Sequence, residues 1–282
     1  MCPERGFRPN FLLPGAMKCG TTSLADQLAS HPDVYMPDLK ELHFFSSEEQ
    51  WEKGIGWYEQ FFRGAAGSKA IGEASTTYTM YPVVEHAAER IRRVLGDIRF
   101  VYSVRNPLDR LVSHCMHLWY RGTPQRPLEE MIEQRPDLVD YGRYHLQIQQ
   151  YLPHSSPERW HIVLFEEFVR DPEPVMREVY GFLDVDPSFT SPDRSPRNVT
   201  AEKELAPRWV RIAARIPLLK TLGRRLLPGR VREQLRTMGR ALEPPVVTPG
   251  LRRELTATYR EDVEALSDLI GRDLFSFWQM ER

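Results

Sequence analysis

The sequence predicts an α/β fold: a P-loop-like central parallel sheet flanked by helices, continued by a helical C-terminal part. Three observations carry this expectation. Short, buried-type apolar runs recur along the first two thirds of the chain, and stretches of helical spacing separate them. The clearest run, Arg-Phe-Val-Tyr-Ser-Val at 99–104, is β-branched and aromatic, and turn residues bound it on both sides. The chain has 282 residues, of which 41% are hydrophobic and 27% charged, enough to form a sizeable core.

The first strand is Phe11-Leu12-Leu13, which stops at Pro14-Gly15 and runs into a small-residue loop over 15–20. A helix opens at Thr21, with Leu24 and Leu28 four apart on one face. Residues 31–69 read as irregular, with a short helix around 56–62, and Ala70-Ile71-Gly72-Glu73 reads as the second strand. A helix is expected over 83–95 with Ile91, Val94 and Leu95 as its apolar side, then the strand at 99–104 and a helix over 108–120. Residues 122–140, rich in Pro, Gln and Arg, read as a surface excursion. A strand over 161–165 and a helix over 174–183 complete the alternation.

From about residue 188 the composition changes. Prolines cluster at 187, 192 and 196, no strand-like run follows, and basic residues dominate 203–240. There Arg208, Arg211 and Arg215 share one helical face, and Trp209, Ile212 and Ile216 another. Residues 251–278 read as an amphipathic helix through Leu255, Tyr259, Val263, Leu266 and Ile270, ending at Gly271. The expected organisation is one domain over 1–282, with an α/β core at 11–187 and a helical part at 188–282. The basic stretch is a solvated face, an interface, or a lid.

Thirty-eight Lys and Arg against 39 Asp and Glu leave a formal charge of −1, which disfavours a protein that coats nucleic acid. Cys2, Cys19 and Cys115 are far apart and lack metal-ligand spacing, which excludes a disulfide scaffold and suits a reducing compartment. Residues 1–9 lack an apolar signal core, and no run approaches 18 apolar residues. A cytoplasmic protein with no transmembrane segment is expected; the oligomeric state is unreadable.

A strand, a glycine loop and a helix in that order make an anion site, because loop and first-turn N–H groups converge where the helix dipole is positive. Gly15 and Gly20 allow close backbone approach and Lys18 supplies a full charge. Thr21, Thr22 and Ser23 open the helix with hydroxyls. The loop misses the ATP-binding Gly-x-x-x-x-Gly-Lys-Ser/Thr pattern: Thr21 follows Gly20, and the lysine lies two positions before that glycine. No apolar strand ends in an aspartate to hold Mg²⁺.

Residues 15–24, Gly-Ala-Met-Lys-Cys-Gly-Thr-Thr-Ser-Leu, resemble the 5′-phosphosulfate loop of sulfotransferases that use 3′-phosphoadenosine 5′-phosphosulfate (PAPS). The strand ending in Arg105-Asn106-Pro107, with Ser113 eight residues after the arginine, resembles that family's second element. An arginine fork plus a hydroxyl at the carboxyl end of a parallel strand suits a 3′-phosphate. The resemblance implies a third, C-terminal nucleotide loop. Residues 191–199 occupy that stretch without the family's Lys-Gly pair, leaving Arg197 as a phosphate contact or a solvated arginine.

Lys40-Glu41-Leu42-His43-Phe44-Phe45 is similar to the Glu-x-His-Phe-Phe motif of the heparan-sulfate branch, and residues 54–58 also resemble that branch. Carried over, Glu41 is the general base, His43 its partner or a substrate contact, and Lys18 stabilises the leaving phosphate. Members with polysaccharide acceptors carry Glu-Lys-Thr-Pro after the second strand; here Glu73-Ala74-Ser75-Thr76 lacks that lysine. His114 and His117 line the acceptor pocket or are ordinary helix histidines. Residues 269–274 are similar to bacterial-type members.

The implied reaction is sulfuryl transfer from PAPS to a hydroxyl of a small-molecule or glycolipid acceptor, with no metal. The alternatives are a P-loop small-molecule kinase and a nucleotide-binding protein without chemistry.

Overall fold

The computed structural model describes residues 7–191, 204–205, 240–241 and 243–281. Five parallel strands form one sheet in the order β2-β3-β1-β4-β5. They are β1 (Phe11–Leu13), β2 (Val34–Tyr35), β3 (Ala70–Ala74), β4 (Arg99–Val104) and β5 (Trp160–Leu164). β1 lies between β3 and β4, with Leu12 opposite Glu73 on one side and Phe100 on the other. Every residue of β1 and β3 is buried, as expected of central strands covered on both faces.

Helices α1 (Thr21–Ser30), α2 (Glu48–Trp51), α3 (Ile55–Glu59) and α4 (Ala87–Leu95) alternate with the first strands. After β4 come α5 (Pro107–Tyr120), α6 (Leu128–Gln134), α7 (Asp137–Asp140) and α8 (Tyr144–Gln149). After β5 come α9 (Phe165–Arg170) and α10 (Pro172–Phe182). The chain ends with α11 (Pro249–Ile270) and α12 (Leu274–Trp278).

Several boundaries differ from expectation for local reasons. The helix expected from 83 starts at Ala87, because Pro82 precedes a turn and Val83 is 65% exposed. The region read as irregular contains β2, whose two residues are too few to show a period, and α2, capped by the Ser47 hydroxyl. Residues 122–140 are not wholly a surface excursion: Leu128, Met131, Leu138 and Val139 are buried, and α6 and α7 pack on α5. β5 runs one residue earlier than expected, so Phe165 begins α9. α10 starts at Pro172, two residues earlier than expected, with the Asp171 side chain as its cap. Beyond residue 188, Glu204–Leu205 pairs antiparallel with Arg240–Ala241, two-residue strands that no apolar run announces. Arg197, and the arginine and apolar faces read over 208–216, lie outside the described residues.

α11 ends at Gly271, which sits at φ 65° and closes the helix in the left-handed conformation. Its buried face, Leu255, Tyr259, Val263 and Leu266, joins the same apolar cluster as Leu12, Tyr102 and Tyr144. Burying each such side chain contributes roughly 1.5–3 kcal/mol. The C-terminal helix is thereby anchored to the face that carries α5 and α8.

Candidate active site

Parallel pairing places the ends of β1, β3 and β4 side by side at the carboxyl edge of the sheet, where α/β proteins bind ligands. The loop after β1 is fixed to β4 by reciprocal backbone bonds. Ala16 N–H donates to Ser103 C=O at 2.7 Å, and Ser103 N–H to Gly15 C=O at 3.0 Å. The Ser103 hydroxyl donates to Cys19 C=O at 2.6 Å, and that of Thr79 to Pro14 C=O at 2.9 Å. Gly20, at φ 75° and ψ 15°, is the N-cap of α1 and provides no side-chain cap, so the helix opens without a capping side chain. A Cβ on Gly20 would stand 2.8 Å from the Phe165 ring, so the turn closes only with glycine there. Lys18 is also left-handed, at φ 75°.

Arg105 leaves β4 with its guanidinium 4.8 Å from the centre of the Phe165 ring, the ring that Gly20 touches. One aromatic side chain thus packs against both phosphate elements proposed from the sequence. Asn106 caps α5, accepting from the N–H groups of Leu108 at 3.0 Å and Asp109 at 3.4 Å, with Pro107 in the first turn. Ser113 lies half-buried on α5. Its neighbour His114 is buried and lies within the electrostatic reach of Lys18. Burial first, and then the Arg110 cation, hold His114 well below the usual histidine range. Arg110 faces its Nδ1 at 3.1 Å, so the ring is neutral with its proton on Nε2.

Glu41 and His43, in the segment after β2, bond to the end of β3 and the 3₁₀ helix Thr76–Thr79 that follows it. The Glu41 backbone N–H donates to Ala74 C=O at 2.9 Å. Its carboxylate accepts from Thr76 N–H at 2.9 Å and from the Thr76 hydroxyl at 3.1 Å. His43 N–H donates to the Ser75 hydroxyl oxygen at 3.1 Å, and His43 Nδ1 pairs with the Thr77 hydroxyl at 2.8 Å. His43 Nδ1 lies 3.7 Å from Glu41 Oε2, with both side chains 40% accessible. Lys40 pins the segment to α1 through Thr22 C=O at 3.3 Å and through an ion pair with Asp26. The expected identities meet, but through a tighter backbone than an extended chain: Glu41 and His43 are left-handed, at φ 58° and 54°.

Residues that sequence reasoning passed over complete the site. Tyr144 donates to Arg105 C=O at 2.7 Å, accepts from Arg105 N–H at 3.3 Å, and contacts Cys19 Sγ at 3.6 Å. Tyr144 thereby ties the loop after β1 to the end of β4. Burial pushes the Cys19 thiol up to about 11, so this cysteine is an inert packing group. Asp262 of α11 accepts from His145 N–H at 3.0 Å and Leu146 N–H at 2.7 Å, capping α8 and so fixing Tyr144. Burial raises Asp262 to about 6. No sequence signal marks Tyr144, an aromatic residue within a polar stretch. Asp262 carried one, a carboxylate on the apolar side of an amphipathic helix.

Fold and site together define an α/β protein whose strand–loop–helix lies at the carboxyl edge of a parallel sheet, where such proteins bind ligands. The model of the sulfotransferase domain family matches residues 8–203, and the chain belongs to that family, whose sulfuryl donor is PAPS. A crystal structure of a sulfotransferase from Alicyclobacillus acidocaldarius superposes with a TM-score of 0.69 at 30% identity, covering 97% of this chain and 99% of that one. The membrane-associated sulfotransferase kil1 of Dictyostelium discoideum is 30% identical over 47% of this chain and 29% of its own length. Heparan sulfate glucosamine 3-O-sulfotransferase 5 of Mus musculus is 25% identical over 64% of this chain and 55% of its own. The chain thus spans about a third to a half of the length of these two relatives. Among the described residues, no helix is long and apolar enough to cross a membrane.

Proposed function

We propose that the protein transfers the sulfuryl group of PAPS to a hydroxyl of a small-molecule or glycolipid acceptor. The observation that carries this reading is the Glu41 carboxylate, held by Thr76 beside His43 and flanking the phosphate loop on the side opposite Arg105. The loop suits a phosphosulfate: α1 opens at Gly20 without a side-chain cap, so its first turn can meet an anion, and Lys18 supplies a positive charge beside it. Lys18, Gly20, Thr21, Thr22 and Ser23 are assigned to the 5′ end of the donor, and Arg105 and Ser113 to its 3′-phosphate.

In the proposed step Glu41 accepts the proton of the acceptor hydroxyl as that oxygen bonds to sulfur. The bond from sulfur to the bridging phosphate oxygen breaks, and the electron pair stays on that oxygen. Lys18 bears the charge that develops there. His43, with Nδ1 set by Thr77 and Glu41, orients the carboxylate and faces the acceptor. Because Ala74 stands where polyanion-acting members carry lysine, this side of the cleft lacks that cation, which favours a neutral or weakly charged acceptor over a sulfated polysaccharide.

A labelled-PAPS screen against hydroxylated natural products, glycosides and glycolipids tests the reading, with calorimetry of 3′-phosphoadenosine 5′-phosphate (PAP) and ATP alongside. Tight PAP binding without Mg²⁺ and label transfer to one acceptor class are expected. Glu41→Gln should keep PAP affinity within twofold and lower turnover by about 10²–10⁴. Preference for ATP with Mg²⁺ would establish the kinase alternative, and PAP binding with no transfer to any acceptor would support the binding protein.

A further inference from the structure

Glu73 has no role in the step just described, yet it is a fully buried carboxylate at the end of β3. Three hydroxyls donate to it: Tyr58 from α3 at 2.7 Å, Tyr78 at 2.8 Å, and Ser75. Burial outweighs these bonds and raises it to about 7, with the nearby Glu41 carboxylate adding to the shift. A serine hydroxyl carries one proton. With that proton directed at Glu73, the Ser75 oxygen offers only lone pairs elsewhere, and His43 N–H donates to it at 3.1 Å. That bond holds a segment under strain, since the left-handed region disfavours non-glycine residues, and Glu41 and His43 are both there.

We propose that Glu73 is a positioning residue for the transfer: through the Ser75 hydroxyl it holds His43 left-handed, and His43 with Leu42 sets where Glu41 presents its carboxylate. The tether runs Glu73, Ser75 Oγ, His43 N–H, and Thr76 and Thr77 complete it from the 3₁₀ helix Thr76–Thr79 that follows. Buried Leu42, Phe44 and Phe45 anchor the segment from below, so the hydrogen-bonded side sets its twist rather than its place. The proposal rests on the reading of Glu41 as the base.

Two measurements on the full chain test it. Site-resolved amide exchange should show His43 N–H exchanging at least tenfold faster in Ser75→Ala and in Glu73→Gln than in the wild type, with residues 15–20 unchanged. In the labelled-PAPS assay the same variants should lower kcat about tenfold while leaving KM for PAPS and PAP affinity within twofold. A purely structural carboxylate would instead lower thermal stability with kcat per folded molecule unchanged. Unaltered His43 exchange in both variants, or unaltered kcat in both, overturns the proposal. If Glu73→Gln fails to fold, Ser75→Ala carries the test, since it removes a single hydroxyl. Exchange is read without turnover, so full activity in Glu41→Gln would overturn the base assignment while leaving the tether to be judged by His43 alone.

Discussion

Arg105 and Glu41 flank one phosphate loop from opposite sides, and the two sides are built differently. On the β4 side, Arg105 is held through its backbone by a buried tyrosine, its guanidinium packs on Phe165, and the supporting carboxylate, Asp262, comes from the distant helix α11. On the β3 side, Glu41 and His43 are held by the hydroxyls of three consecutive residues just after the strand, Ser75, Thr76 and Thr77, and their side chains stay well exposed. The contrast teaches that the side assigned to the donor is fixed by aromatic packing and a buried carboxylate, whereas the side assigned to the acceptor depends on hydroxyl hydrogen bonds around a strained turn. A cofactor-like donor is the same for every member of a family, while the acceptor differs, and the rigid half is the one assigned to the donor.

The largest effect that could break this division is at Arg105. Arg105→Ala should weaken PAP binding about 10–100-fold, the worth of one or two charge-assisted hydrogen bonds. It should change binding of adenosine 5′-phosphosulfate, which lacks the 3′-phosphate, much less. Equal losses for both ligands in calorimetry would move Arg105 away from the 3′ end. A matched pair then sharpens the division. Tyr144→Phe should weaken PAP about fivefold with kcat nearly kept, and Thr76→Val should lower kcat about fivefold with PAP affinity kept. The reverse pattern would mean that the two sides exchange roles.

The smallest effect is on stability and follows from Asp262. Burial lifts it from 3.8 to about 6, so between these values the folded chain holds a proton that the unfolded chain has lost. Its contribution to stability is therefore greatest below about pH 4, falls as pH rises to about 6, and is flat above that. Asp262→Asn should flatten the melting temperature over this window by the equivalent of on the order of 2 kcal/mol. Glu73, raised from 4.5 to about 7, adds a slope of the same sign, and the part between pH 6 and 7 should persist in Asp262→Asn and vanish in Glu73→Gln. Melting curves from pH 4 to 8 for the three proteins would check both.

What could be read from the sequence divides along the same line. β1 and β4 are continuous apolar runs bounded by turn residues, so their position, their neighbours in an alternating pattern, and the residues at their carboxyl ends were all legible. The identities of Lys18, Arg105, Glu41 and His43 followed from local chemistry and motif resemblance. What holds them did not. Tyr144 reaches Arg105 from 39 residues away and Asp262 reaches α8 from more than 115, contacts that no local period encodes. The left-handed turn at 41–43 was hidden for another reason: neither residue is a glycine, and the bonds that shape it come from the remote segment 74–77.

Asn106, which caps the helix after Arg105, also donates through its side-chain amide to Trp278 C=O at 3.1 Å. Together with Asp262 this makes α11 and α12 late components of the half assigned to the donor. During synthesis the loop after β1 and the end of β4 emerge long before α11 and α12 do. The nascent chain thus displays its phosphate loop while Tyr144 and Asn106 still await their partners. Competence to bind the nucleotide should arrive only once α12 has emerged, a built-in order of assembly that a series of stalled translation intermediates would expose.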